Sequence, residues 1–202
     1  MLDGAGAIGL IDGYFDAVAA PWHKEILFAL ASGVTMLGSS SMGALRAAEC
    51  APFGMKPIGP IALAYASGEL DDDAAVALSH GPAELGFPPV TEPTVNIEPT
   101  LVRLRELGHL SQAEADLVRA QANRLYFKDR SDEAMFAGLP PAKLAAYREH
   151  HIDRKAEDAL LLIAELKTCA SVRAPRPEIA QPDTFFTRNI LPELIRQAKP
   201  NR

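Results

Sequence analysis

LGSSSMGALRAAE, residues 37–49, is the stretch on which the fold turns. A short apolar run, VTMLG at 34–38, ends in three consecutive serines. A good helix former follows to Ala51, where Pro52 closes it. The same order occurs just upstream. AIGLIDG, 7–13, reads as a buried strand ended by an Asp-Gly turn, and WHKEILFALASG reads as a helix from Pro21 to its stop at Gly33. Strand, helix, strand, helix within about 45 residues predicts a βαβα unit with parallel strands.

Outward from that unit the pattern changes. PIGPIALAYASGEL holds one short helix, 60–67, and Ala75–Ser79 reads as a further strand before the loop GFPPVTEPT. From Ile97 on the period is helical, with Leu101, Leu104 and Leu107 on one face. Ser111 with Glu114 three residues on is a capping box. PPAKLAAYREHH and IDRKAEDALLLIAELKTCA are further helices; VRAPRPEIAQPDT is a proline-rich connector. A last helix, 184–197, is interrupted by Pro192. The expected fold class is α/β: a small, mostly parallel sheet with flanking helices, followed by an α-helical C-terminal half.

Composition narrows the function. The 202 residues are 48% hydrophobic and 23% charged, enough for a sizeable core without metals or disulfides. A net charge of −6 leaves no global basic field to draw nucleic acid. Cys50 and Cys169 form no CxxC or Cys/His cluster, so no structural metal is expected, and a reducing cytoplasm is the simplest home. No apolar run reaches the roughly 18 residues of a membrane span, and the N-terminus lacks the basic start of a signal peptide. No cofactor is expected: Gly4, Gly6 and Gly9 precede or enter the first strand instead of following it.

The serines admit two readings. S-x-S-x-G at Ser39, Ser41 and Gly43 is one substitution from the nucleophile-elbow pattern. A serine at a helix N-terminus faces unpaired amides, here those of Met42 and Gly43, which suit a developing oxyanion. Serine is equally a preferred helix cap, and Ser39 and Ser40 are assigned to turn and cap. A serine nucleophile needs a base. Lys24, near the start of the helix after the first strand, reaches the same sheet edge, and a neutral lysine serves if burial lowers its pKa. Asp12 ends the first strand at that edge and either positions Lys24 or makes the Asp-Gly turn. Arg46 either bends toward the cleft or pairs with Glu49. His80, before Gly81-Pro82, is a candidate to orient substrate or water. No Ser-His-Asp triad is evident.

IGLIDGYF, WHKEILFALASGV, GSSSMGALRAAE, GELDDDAAVALSHGP and VNIEPTL stand in the order expected of TfuA-like proteins, and the chain resembles that family over about residues 7–102. The resemblance implies a TfuA-like α/β core over 1–102; the pattern beyond it is read as a helical extension packed on the core over 103–172 and a proline-rich connector with a C-terminal helix over 173–202. It implies partnership with a YcaO-type enzyme in backbone thioamidation of a peptide substrate. It also implies hydrolysis of a thiocarboxylated, ubiquitin-like sulfur carrier of the ThiS type by a Ser–Lys pair, here Ser41 and Lys24. Members of the family carry a further α/β segment before the IDG strand, so a sheet short of an edge element is expected. VTEPTVNIEPTL has prolines where the family is more helix-like, so that loop is expected to differ. A non-catalytic adaptor holding YcaO, carrier and peptide together is the alternative, and a general serine esterase a weaker one.

Overall fold

The computed structural model describes residues 4–13, 19–175, 184 and 186–197. Two compact units divide them: Met1–Glu69 with Asp158–Arg202, and Leu70–Glu157.

The first unit is the α/β part. Strand β1 (Ala7–Leu10), helix α1 (His23–Ala31), strand β2 (Thr35–Gly38), helix α2 (Met42–Cys50), strand β3 (Lys56–Pro57) and helix α3 (Gly59–Ser67) follow one another. The sheet is parallel throughout in the order β1-β2-β3, with Ala7 opposite Thr35 and Leu37 opposite Lys56. Two residues are too few to show a period, which is why β3 escapes a sequence reading. Pro57 brings no N–H to the ladder and suits this edge.

One face of the sheet buries Ile26, Leu27 and Leu30 of α1 with Met36, Ala47, Cys50 and Met55, and Ile8 and Leu10 pack against them. Each such aliphatic side chain contributes about 2 kcal/mol by leaving water. At Gly9 of β1 the side chains of Leu162 and Leu166 approach so closely that a Cβ there would lie 2.4 Å from Leu162 Cδ2. The C-terminal ends of the strands lead into the N-termini of α2 and α3, the edge at which open α/β sheets place their sites.

The second unit is helical: α4 (Thr94–Glu106), α5 (Gln112–Arg124), the single turn α6 (Asp132–Met135) and α7 (Pro141–Glu149). Ile97, Leu101, Leu104, Val118, Met135, Phe136 and Tyr147 are buried together. The capping box is present: Ser111 Oγ accepts the Glu114 N–H at 3.2 Å, and Glu114 Oε2 accepts the Ser111 N–H at 2.7 Å. Ser131 Oγ caps α6 through the Ala134 N–H. Helix α4 starts earlier than the prolines suggested and contains Pro99. The amide that Pro99 lacks would have paired only with Val95 in the first turn.

The strand expected at Ala75–Ser79 is absent. Asp73–Ala75 is a 3₁₀ turn, capped by Asp72 through the Ala74 N–H at 2.9 Å. Ala75–Ala77 is buried, as strands are, but side chains satisfy the carbonyls of Ala75 and Val76 and of Ala74 just before them. Lys155 Nζ donates to Val76 O at 2.9 Å, Arg130 to Ala74 O, and Thr94 Oγ1 to Ala75 O. His80 makes only an isolated bridge to Pro89.

Helix α8 (Arg154–Thr168) contains the boundary between the units. The proline-rich connector lies mostly outside the described residues. The last helix is in two pieces, a π-helical turn Phe186–Ile190 and then α9 (Leu191–Gln197) with Pro192 in its first turn.

Candidate functional site

The site forms where β2 becomes α2. Ser39, Ser40 and Ser41 are all buried, Ser41 completely. The backbone here is bonded to the last residue of β1 and the one after it: Ser39 N–H to Leu10 O at 3.0 Å, Ser41 N–H to Ile11 O at 3.2 Å, and Gly43 N–H to Ile11 O at 2.9 Å. Ser41 N–H also reaches back to Ser39 O at 2.8 Å across Ser40, whose φ is +70°. That three-residue turn with a left-handed centre is the rarer, strained kind of γ-turn.

Ser41 occupies the N-cap position of α2 without capping it. Its Oγ is buried and accepts or donates no hydrogen bond. A buried hydroxyl without a partner costs about 1–3 kcal/mol, so such a group asks for a reason other than stability.

Gly43 has a different role from the one expected. Its amide is engaged by Ile11 and is not open to an oxyanion. A Cβ on it would lie 1.8 Å from Leu10 O, so glycine lets α2 approach the end of β1 rather than admitting substrate. The Met42 N–H donates to none of these backbone carbonyls and remains the candidate donor at the helix N-terminus.

Lys24 lies in the first turn of α1 and is half-buried. It does not hydrogen-bond Ser41, whose hydroxyl has no partner. The two helices are nevertheless tied where it sits. Arg46 Nε donates to Pro21 O at 2.8 Å, Arg46 NH1 to Glu49 Oε2 at 2.6 Å, and His23 Nε2 lies 2.8 Å from the same carboxylate oxygen. Arg46 thus pairs with Glu49 and clamps α1, of the two roles open to it. Asp12 is exposed, and its Oδ1 accepts the Gly13 N–H at 2.8 Å, the hydrogen bond of an Asp-Gly turn. His80 belongs to the other unit; its Nδ1 lies 2.8 Å from Gly81 O, and its ring meets Phe87 edge-on at 5.2 Å.

Asp158 was not singled out in the sequence. Its carboxylate accepts the Ile61 N–H in the first turn of α3 at 2.9 Å, and its carbonyl accepts the Ser39 hydroxyl at 2.9 Å. It therefore caps one helix from another and touches the serine turn. Its signal in the sequence is an acid one turn before Leu162, on the buried stripe of α8. Among the described residues no group of three or more His, Cys, Asp or Glu side chains gathers as metal ligands. None of their helices is long and apolar enough to cross a membrane.

Fold and site together define a small parallel α/β protein with a helical extension, carrying a buried hydroxyl at the head of a helix. The chain belongs to the TfuA-like family, whose model matches residues 12–131, more than half its length. No curated protein matches it.

Proposed function

We propose that this chain acts beside a YcaO-type enzyme in backbone thioamidation of a peptide, and that it hydrolyses a thiocarboxylated ThiS-type carrier at Ser41 to release sulfide. The observation that carries the reading is the Ser41 hydroxyl, buried at the N-terminus of α2 and bonded to nothing. Family membership supports the YcaO-associated role.

In this reading the carrier's C-terminal tail comes to the head of α2. Lys24 takes the Ser41 proton. Ser41 Oγ bonds to the thiocarboxyl carbon, and the Met42 amide holds the developing oxyanion. The proton passes from Lys24 to sulfur, the C–S bond breaks, and hydrosulfide leaves. Water then cleaves the Ser41 ester, giving the carrier carboxylate and returning the serine proton. The positive end of α2 favours the anionic tail.

The burial of all three serines favours the second reading, an adaptor that recruits YcaO, carrier and peptide without chemistry. Sulfide release from a thiocarboxylated carrier decides between them. Loss of release in well-folded Ser41→Ala and Lys24→Ala, with release by the wild type, supports the hydrolase. Carrier or YcaO binding by a wild type that releases no sulfide supports the adaptor.

A further inference from the structure

Helix α8 carries apolar side chains on two opposite faces. Lys155, Asp158 and Leu162 are buried, and with the half-buried Leu166 they mark its inward stripe. The opposite stripe runs Glu157, Leu160, Leu161, Ala164 and Lys167, at the spacing that brings side chains together on one side of a helix. All five are exposed. Leu160 is 66% and Leu161 51% exposed, and Ile163 beside them is 41% exposed. Single exposed leucines are ordinary on a protein surface, but large apolar side chains gathered in one helical turn mark an interaction surface.

The charges at the two ends of the stripe select what covers it. Glu157 lies in the first turn of α8 and Lys167 in the last. Glu157 Oε2 lies 2.9 Å from Arg154 Nη1 of its own helix, yet the Glu157 side chain remains half exposed. A second α8 laid antiparallel, with the two-fold axis level with Leu162, sets Glu157 of one copy against Lys167 of the other, twice. The same register lays Leu160 of each copy over the small Ala164 of the other. A parallel pairing instead sets Glu157 on Glu157 and Lys167 on Lys167, with the helix dipoles opposed to it as well. The stripe is therefore self-complementary in one direction only, the property of an isologous interface. We propose that the outer face of α8 is a self-association surface, on which a second copy of this chain docks as an antiparallel helix pair. Neither the hydrolase nor the adaptor reading requires this dimer.

Sedimentation equilibrium of the full chain between about 1 and 100 μM is expected to show monomer and dimer in exchange. Leu160→Glu replaces a side chain already exposed in the single chain. The thermal midpoint of the dilute protein is expected to hold, while the dissociation constant of the dimer rises at least about tenfold. Lys167→Glu is expected to weaken the dimer by facing Glu157 of the other copy, and adding Glu157→Lys is expected to restore it. A wild type that is still monomeric at about 100 μM overturns the proposal. A dimer that Leu160→Glu leaves intact overturns it too, because the copies then meet on another face. Failure of the double charge exchange to recover what Lys167→Glu loses overturns the antiparallel register.

Discussion

The Gly43 amide donates to the Ile11 carbonyl at 2.9 Å, and the Gly43 Cα faces Leu10 so closely that no side chain fits between them. This contact seats the first turn of α2 on the end of β1. Gly43→Ala forces a methyl group into a backbone carbonyl, an overlap that flexible side chains cannot absorb. A loss of about 3 kcal/mol is expected, read from urea denaturation. A variant as stable as the wild type would show that α2 can move off β1 at little cost.

Asp158 links α8 to the heads of α2 and α3 through Ser39 and Ile61. Asp158→Ala leaves the Ile61 N–H buried without its acceptor and is expected to cost about 2 kcal/mol. Asp158→Asn keeps an acceptor oxygen and is expected to lose less. Equal losses in both variants would assign the effect to the charge rather than to the cap.

Arg130 is buried in the helical unit and donates to the carbonyls of Ala122, Leu125, Ala74 and Glu92. Burial pushes its pKa down, but a guanidinium stays charged. Arg130→Met strands these carbonyls, and a loss of about 3 kcal/mol is expected. Arg130→Lys is expected to rescue little, because an ammonium cannot span a planar fan of acceptors. Full rescue by lysine would refute that account.

His151 Nε2 lies 2.7 Å from Glu92 Oε1. That hydrogen bond raises the His151 pKa, against partial burial, which lowers it. A raised folded-state pKa means that folding takes up protons. The added stability is complete below the unfolded value of about 6.5 and is lost as pH rises through the higher folded value. Denaturation midpoints are expected to fall as pH rises from about 6.5, and the fall is expected to flatten in Glu92→Gln. An unchanged slope in that variant would place the titration elsewhere.

Where local pattern and chain connectivity suffice, the sequence determined the outcome. The βαβα order around LGSSSMGALRAAE, the parallel sheet, the Ser111–Glu114 box and the helical C-terminal half follow from hydrophobic period and capping chemistry, which act over a few residues. So does Ser41 as the serine at the helix head. Tertiary structure decided what depends on partners remote in the chain. Whether the Gly43 amide is open depended on Ile11, and whether α3 has a cap depended on Asp158, 97 residues beyond Ile61. Ala75–Ala77 has the burial of a strand, yet Thr94 and Lys155 took the carbonyls of Ala75 and Val76. A backbone hydrogen bond is satisfied by whichever group folding brings near, and neither hydrophobic period nor propensity encodes which group that is.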